Sequence, residues 1–346
     1  MNALVLHAVG DLRYEEVPTP QPGAGEVLVR VAYCGVCGSD IPRIFVKGTY
    51  RFPLICGHEF AGVVEECGEG VQRVAPGDRV TVFPLLWCGR CSACERGRYA
   101  QCEHYDYLGS RRNGAFAEYV VAPERNLLKV PDAVSLQEAA MTEPAAVACH
   151  ALRRAGGVTP GETVAVFGAG PIGLMVAQWA KVMGASPIAL FDVVDEKIAL
   201  AHGLGFAHAY HSHRAEEVIA SLTQGRGAHV CVEAAGVPQA LLQACACARR
   251  GGRVVLLGNP AADITLPAGL WSQLMRREVS LFGTWNSEYA VYSEDDDWHT
   301  ALQAMAEGRV QLMPLVSHQV PLSEAIHTLH AMREGKGFFC KVLIQP

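Results

Sequence analysis

The chain has 346 residues, half of them hydrophobic and only 18% charged, a composition that suits a compact two-domain enzyme and excludes a disordered or fibrous chain. A formal net charge of −6 provides no basic field for nucleic acid or anionic lipid, so an anionic substrate must be held by local cations. Thirteen cysteines, an odd number, follow an N-terminus (Met1–Ala8) that lacks a basic stretch and does not read as a signal peptide; together they speak for cytoplasmic thiols and metal, not disulfides.

Residues 1 to about 150 carry short β-type runs at 3–6, 26–32, 62–66, 79–83 and 118–121, separated by Gly/Pro turns, as an irregular β domain would. Ser135-x-x-Glu138 is a capping box that opens a helix. From 163 to 191 the chain is almost continuously apolar, but Gly168, Gly170, Pro171, Gly173, Lys181 and Gly184 interrupt it. A buried strand–helix–strand unit therefore fits better than a membrane span. Strands at 164–167, 188–192, 208–210, 230–233, 253–257 and 280–283 alternate with helical patterns such as 196–204 and 238–248, which predicts a doubly wound parallel α/β sheet. Residues 294–297 read as a solvated acidic helix start, and the tail to 346 holds two helix-like segments and a strand at 341–344.

The first strand runs directly into Gly168-Ala-Gly170-Pro171-Ile172-Gly173. The first glycine makes the tight turn, the second admits a pyrophosphate, and the third lets helix and strand pack, while the helix N-terminus supplies amide donors. The second strand ends on Asp192, at the spacing expected of the acid that accepts both ribose hydroxyls of NAD and repels the extra phosphate of NADP. Lys197, one turn into the next helix, reaches the same ribose; the plainer alternative is that Asp192 only caps that helix.

Cys88-x-x-Cys91-x-x-Cys94 with Cys102 offers four thiolates in one loop, the ligand set of a closed structural zinc site. An iron–sulfur cluster is the rival, but the Cys-Pro ending is absent and the final gap is longer. A second set is dispersed: Cys37, His58-Glu59 and Glu143. Cysteine, histidine and carboxylate suit a zinc with one open position, although each residue taken alone has a structural explanation.

Gly57-His58-Glu59-Phe60-Ala61-Gly62, with Gly68 and Val71 downstream, resembles the zinc signature of the medium-chain alcohol dehydrogenase family. Cys37, the cysteine loop, Glu143-Pro144 and the dinucleotide fingerprint follow in family order. The resemblance implies a chaperonin-10-like catalytic domain (1–150 and 290–346) around a Rossmann domain (151–289). It further implies Cys37, His58 and Glu143 as catalytic-zinc ligands and Glu59 as an alternate or outer ligand. A glutamate at 143 is similar to the polyol dehydrogenase branch. Gly38–Phe45, Pro84-Leu-Leu, Gln101-Cys, Tyr105–Gly114 and Gly283-Thr-Trp285 narrow the likeness to enzymes of polyol phosphates.

Oxidation of a secondary alcohol needs a proton acceptor beside the metal. Ser39 resembles the first member of the family's relay; Pro42 stands where relatives often carry a histidine, so the onward path runs through Glu59 and water. A turn-capping hydroxyl is the competing role for Ser39. A phosphorylated substrate needs cations, for which Arg43, Lys47, Arg111 and Arg112 are candidates. Trp285 either lines the substrate pocket or packs in the core. The edge strand at 280–283 is a candidate seam for a homodimer or homotetramer. An unphosphorylated polyol or threonine dehydrogenase is the nearest alternative, and a non-catalytic zinc- and nucleotide-binding protein the remote one.

Overall fold

A computed structural model describes residues 1–346. Two compact units form, one of Met1–Glu143, Glu288–Gly308 and Leu312–Pro346, the other of Pro144–Ser287 and Arg309–Gln311. The division falls ahead of the expected 150, at the end of the helix-opening Thr142-Glu143, and a three-residue stretch near 310 crosses back.

The second unit is a six-stranded parallel sheet in the order His208–His211, Ile188–Asp192, Val164–Phe167, Ala228–Glu233, Ala248–Leu256, Ser280–Gly283. Val164–Phe167 is buried at every position, as a central strand covered on both faces requires. The long apolar stretch resolves into that strand, the helix Pro171–Val182 and the strand Ile188–Asp192; no helix is long and apolar enough to cross a membrane. Ser280–Gly283 is the sheet edge, with Leu281 exposed.

The first unit is built on a seven-stranded sheet in which Glu26–Gly35 is central. It pairs antiparallel with Glu59–Cys67, Tyr119–Pro123 and the C-terminal strand Lys341–Gln345. The register sets Gly35 opposite Glu59 on one side and opposite Leu343 on the other. Three chain segments far apart in sequence thus meet at one level of the sheet. A strand unforeseen from the sequence, Val316–Pro321, pairs parallel with Lys341–Gln345. The expected capping box at Ser135 forms with both reciprocal bonds.

In the acidic run at 294–297, Glu294 and Asp295 are exposed as expected, but its second half is not solvated. Asp296 and Asp297 are buried, and Asp296 Oδ1 accepts the N–H groups of Trp298 and His299 at 2.7 and 2.8 Å as the N-cap of the helix Asp297–Ala306. Capping, with Asp296 Oδ2 accepting Ala290 N–H at 2.9 Å, satisfies a carboxylate that burial would otherwise penalise.

Candidate functional site

The cysteine loop is local, closed by a two-stranded ribbon (Leu85–Leu86 with Asp106–Tyr107) and the one-turn helix Ser92–Glu95. The four sulfurs of Cys88, Cys91, Cys94 and Cys102 gather within 4.8 Å of one another, with contacts of 3.4 Å (Cys91–Cys94), 3.9 Å (Cys88–Cys94) and 3.9 Å (Cys91–Cys102). Four sulfurs about 2.3 Å from one tetrahedral zinc stand roughly 3.8 Å apart, so the cage fits that ion. Backbone N–H groups of Cys94 and Glu103 aimed at Cys91 lower its thiol to about 6, favouring the thiolate that binds metal. No disulfide forms among the cysteines.

The dispersed set converges as well. Cys37 follows the central strand Glu26–Gly35, and His58-Glu59 open its neighbour Glu59–Cys67. The paired strands therefore bring Cys37 Sγ, a His58 ring nitrogen and a Glu59 carboxylate oxygen within 4.8 Å of each other. Glu143, in the first turn of the helix Thr142–Arg154, is buried nearby but lies outside that tight trio. Tyr107 donates its hydroxyl to Glu143 Oε1 at 3.3 Å. Burial first, and then the Glu59 charge, push Glu143 up to about 7, against the pull of His58 and Lys341.

These donors fit a divalent cation. Burial and the carboxylates of Glu59 and Asp40 raise the Cys37 thiol far above its usual range. His58 Nδ1 is buried without a hydrogen-bond partner, 3.6 Å from Asp40 Oδ1. A carboxylate on the outer nitrogen is how ligating histidines are oriented, which leaves Nε2 for the metal. Carboxylates and a thiol thus crowd a buried space where Lys341 and Arg43 are the cations in contact; a bound zinc balances the remainder.

Three members of this network went unread in the sequence. Fully buried Asp40 receives Arg43 Nη1 at 2.5 Å and accepts the Cys37 N–H at 3.0 Å. Its signal was its place three residues after Cys37. Lys341 Nζ donates to Glu59 Oε2 at 2.6 Å and to Val36 O at 3.2 Å, both charges buried. Its only signal was a lysine opening an apolar strand. Tyr107 lies in the distinctive 105–114 stretch, and its ring meets His58 edge-on with centroids 5.8 Å apart.

Ser39 Oγ donates to Cys37 Sγ at 3.3 Å and accepts Arg43 Nη2 at 3.4 Å, and makes no helix-capping bond. Of the four candidate cations, Arg43 is paired with Asp40, Arg112 with Asp106 at 2.6 Å, and Lys47 is exposed. The Arg111 guanidinium lies between the rings of Tyr50 and Tyr105, 4.1 and 4.4 Å from their centroids. Trp285 is 53% exposed and so is not a core residue.

In the other unit, Gly168 turns at φ +107°, and a side chain on Gly173 would strike the carbonyl of Gly168, so both positions demand glycine. The helix starts at Pro171, with Gly170 as N-cap and Ile172 in its first turn, leaving free amides at the turn. Asp192 Oδ1 accepts Val193 N–H at 2.8 Å and Val194 N–H at 3.0 Å, and Oδ2 accepts Ala169 N–H at 2.7 Å. Lys197 Nζ stands 3.6 Å from Oδ2. The acid therefore does brace the following turn, and it also ties the glycine-rich turn to the strand end. Of roughly four lone-pair sites on a carboxylate, three meet backbone donors.

A family model for the alcohol dehydrogenase GroES-like domain matches residues 23–132, and one for zinc-binding dehydrogenase matches residues 171–307. The chain is 35% identical to galactitol 1-phosphate 5-dehydrogenase of Escherichia coli K12 over 322 residues, 92% of each chain. It is 35% identical to sorbitol dehydrogenase of Halalkalibacterium halodurans over 355 aligned residues, 100% of this chain and 99% of that one. The crystal structure of galactitol-1-phosphate dehydrogenase from Escherichia coli superposes with a TM-score of 0.93 at 33% identity, covering all of both chains.

Two outcomes follow from the geometry. Cys91→Ser loses one zinc per chain by elemental analysis and lowers the melting temperature, while zinc at Cys37 and His58 persists. Lys341→Met strands Glu59 without its partner and destabilises the protein by about 3–5 kcal/mol in urea titration, whereas the double change Lys341→Met with Glu59→Leu recovers most of that loss.

Proposed function

Because the chain belongs to the zinc-dependent medium-chain alcohol dehydrogenase family, in which zinc and a nicotinamide dinucleotide are the typical cofactors, we propose that it oxidises a secondary hydroxyl of a polyol phosphate with NAD. Galactitol 1-phosphate, giving tagatose 6-phosphate and NADH, is the reaction favoured. The observation that carries the chemistry is the meeting of Cys37, His58 and Glu59 within 4.8 Å beside buried Glu143. The likeness to the Escherichia coli enzyme, together with a glutamate at 143, supports the polyol branch.

Zinc, when bound, supplies Lewis acidity of the kind that moves the pKa of water from 15.7 to about 7. The protein's own part is placement and proton handling. Cys37 and His58 hold the metal. Glu143, steadied by Tyr107, would be the third ligand, and Glu59, which lies in the tight trio but is paired with Lys341, would be the alternate or outer carboxylate. Ser39 Oγ already has one donor and one acceptor partner, which leaves a lone pair for the substrate's hydroxyl proton. The onward path then passes Glu59 and water, since Pro42 offers no side-chain base. Gly168, Gly170, Pro171, Ile172 and Gly173 cradle the pyrophosphate, and Asp192 with Lys197 takes the ribose. The exposed edge Ser280–Gly283 supports pairing with a second copy.

Initial rates of NADH formation test the substrate. Galactitol 1-phosphate is expected to exceed galactitol, sorbitol and threonine by at least tenfold in kcat/KM; equal or higher rates with an unphosphorylated compound overturn the assignment. Cofactor choice has its own measurement. Asp192→Ala is expected to lower the NAD-to-NADP ratio of kcat/KM by roughly 10–100-fold, the scale of one lost charge-assisted hydrogen bond.

A further inference from the structure

We propose that Arg111, held between Tyr50 and Tyr105, is the residue that selects a phosphate monoester at the far end of the substrate; this rests on the polyol-phosphate reading above. Four arginines of this unit hold a carboxylate: Arg13 with Asp11, Arg30 with Glu65, Arg43 with Asp40 and Arg112 with Asp106. Arg111 does not. It is half-buried, has no ion pair and no side-chain hydrogen bond, and its two contacts are ring faces.

A guanidinium is planar, with five N–H donors directed in the plane and none along its normal. The rings of Tyr50 and Tyr105 lie 4.1 and 4.4 Å from the guanidinium carbon and hold it by cation–π attraction, while no protein acceptor takes its side-chain N–H donors. Such a fork matches the oxygens of a phosphate, where paired charge-assisted bonds form. Its orientation is set before any ligand arrives, so less rotamer freedom is lost on binding.

The clamp is anchored on both sides. Arg111 and Arg112 donate their backbone N–H groups to Tyr107 O at 2.9 Å each, and Gly109 N–H donates to Arg112 O at 2.8 Å, closing a tight turn. Thr49 Oγ1 donates to Ser110 O, fastening the Tyr50 segment to that turn. The neighbouring rings continue toward the metal ligands: Tyr105 meets Tyr107 at 6.4 Å, and Tyr107 meets His58 at 5.8 Å while bonding Glu143. Tyr50 is 72% exposed, so the row runs from solvent to His58.

In a hexitol 1-phosphate oxidised at C5, six bonds separate the reacting carbon from phosphorus, about 7.5 Å end to end in an extended chain where each ~1.5 Å bond advances roughly 1.25 Å. An anion partner is therefore needed at some remove from Cys37 and His58. Arg111 is linked to His58 through three successive contacts, by way of Tyr105 and Tyr107, and is removed from the metal end of the site. Arg43 is in contact with Ser39 and committed to Asp40, which suits it to the metal end of the site and not to the phosphate.

The test uses the zinc- and NAD-loaded enzyme with Arg111→Met, Arg111→Lys and Tyr50→Ala. Steady-state rates are measured with galactitol 1-phosphate and galactitol, and binding of inorganic phosphate by titration calorimetry. For Arg111→Met, KM for galactitol 1-phosphate is expected to rise about 100-fold with kcat within about twofold, the mark of lost uniform binding, and galactitol kinetics to stay within about twofold. Inorganic phosphate binding should fall at least tenfold. Arg111→Lys, which keeps the charge and loses the fork, should fall between. Tyr50→Ala alters an exposed residue and so keeps the fold; it should weaken phosphate binding several-fold. The proposal is overturned if Arg111→Met slows both substrates equally, or keeps the wild-type preference and phosphate affinity. If the wild type itself shows no preference for the phosphate ester, the substrate reading fails instead, and the two failures are told apart by the wild-type rates alone.

Discussion

Lys341 and Glu59 meet at 2.6 Å with both side chains almost fully removed from solvent, and the arrangement of the candidate metal ligands follows from that contact. Burying two opposite charges costs several kcal/mol apiece before their attraction is counted, so the pair is sustained by geometry and not by burial. The geometry comes from the sheet. Gly35 lies opposite both Glu59 and Leu343, which brings Lys341 to the carboxylate, and the same lysine donates to Val36 O. With Glu59 held by Lys341 and Glu143 held by Tyr107, the two glutamates that could compete for one metal have separate partners.

Asp40 plays the corresponding part on the other side. It accepts the backbone N–H of Cys37, pairs with Arg43 and stands beside His58 Nδ1. One carboxylate thereby steadies the turn that carries the thiol and faces the imidazole. The direct donors to the metal are few; the groups that orient them are as numerous, and buried polar networks of this kind rigidify a site only when nearly every member is satisfied.

Legibility in the sequence followed contact range. The dinucleotide turn, Asp192 and the cysteine loop are local patterns, and the strands Val164–Phe167, Ile188–Asp192 and Ser280–Gly283 have the bounds their composition predicts. Cys37, His58 and Glu143 were joined only through family resemblance, because nothing in their spacing encodes strand pairing. Lys341 could not be paired with Glu59 from sequence at all, with 282 positions between them. Val316–Pro321 escaped notice because its residues are half-exposed or exposed and make no apolar alternation. Asp296 and Asp297 misled for a different reason: their carboxylates serve backbone N–H groups, so burial became tolerable where charge alone argued for water, while Glu294 and Asp295 stay exposed.

The strand Lys341–Gln345 follows every other strand of its sheet in sequence, yet it lies between Glu26–Gly35 and Val316–Pro321. Translation proceeds from the N-terminus, and earlier segments fold as they emerge. Until residues 341–345 have been translated, Glu59 lacks its cation and Gly35 lacks a neighbour along one flank. The parallel sheet of Pro144–Ser287 is complete in sequence well before that moment. The order of translation therefore allows the parallel sheet to form before Glu59 gains its lysine partner.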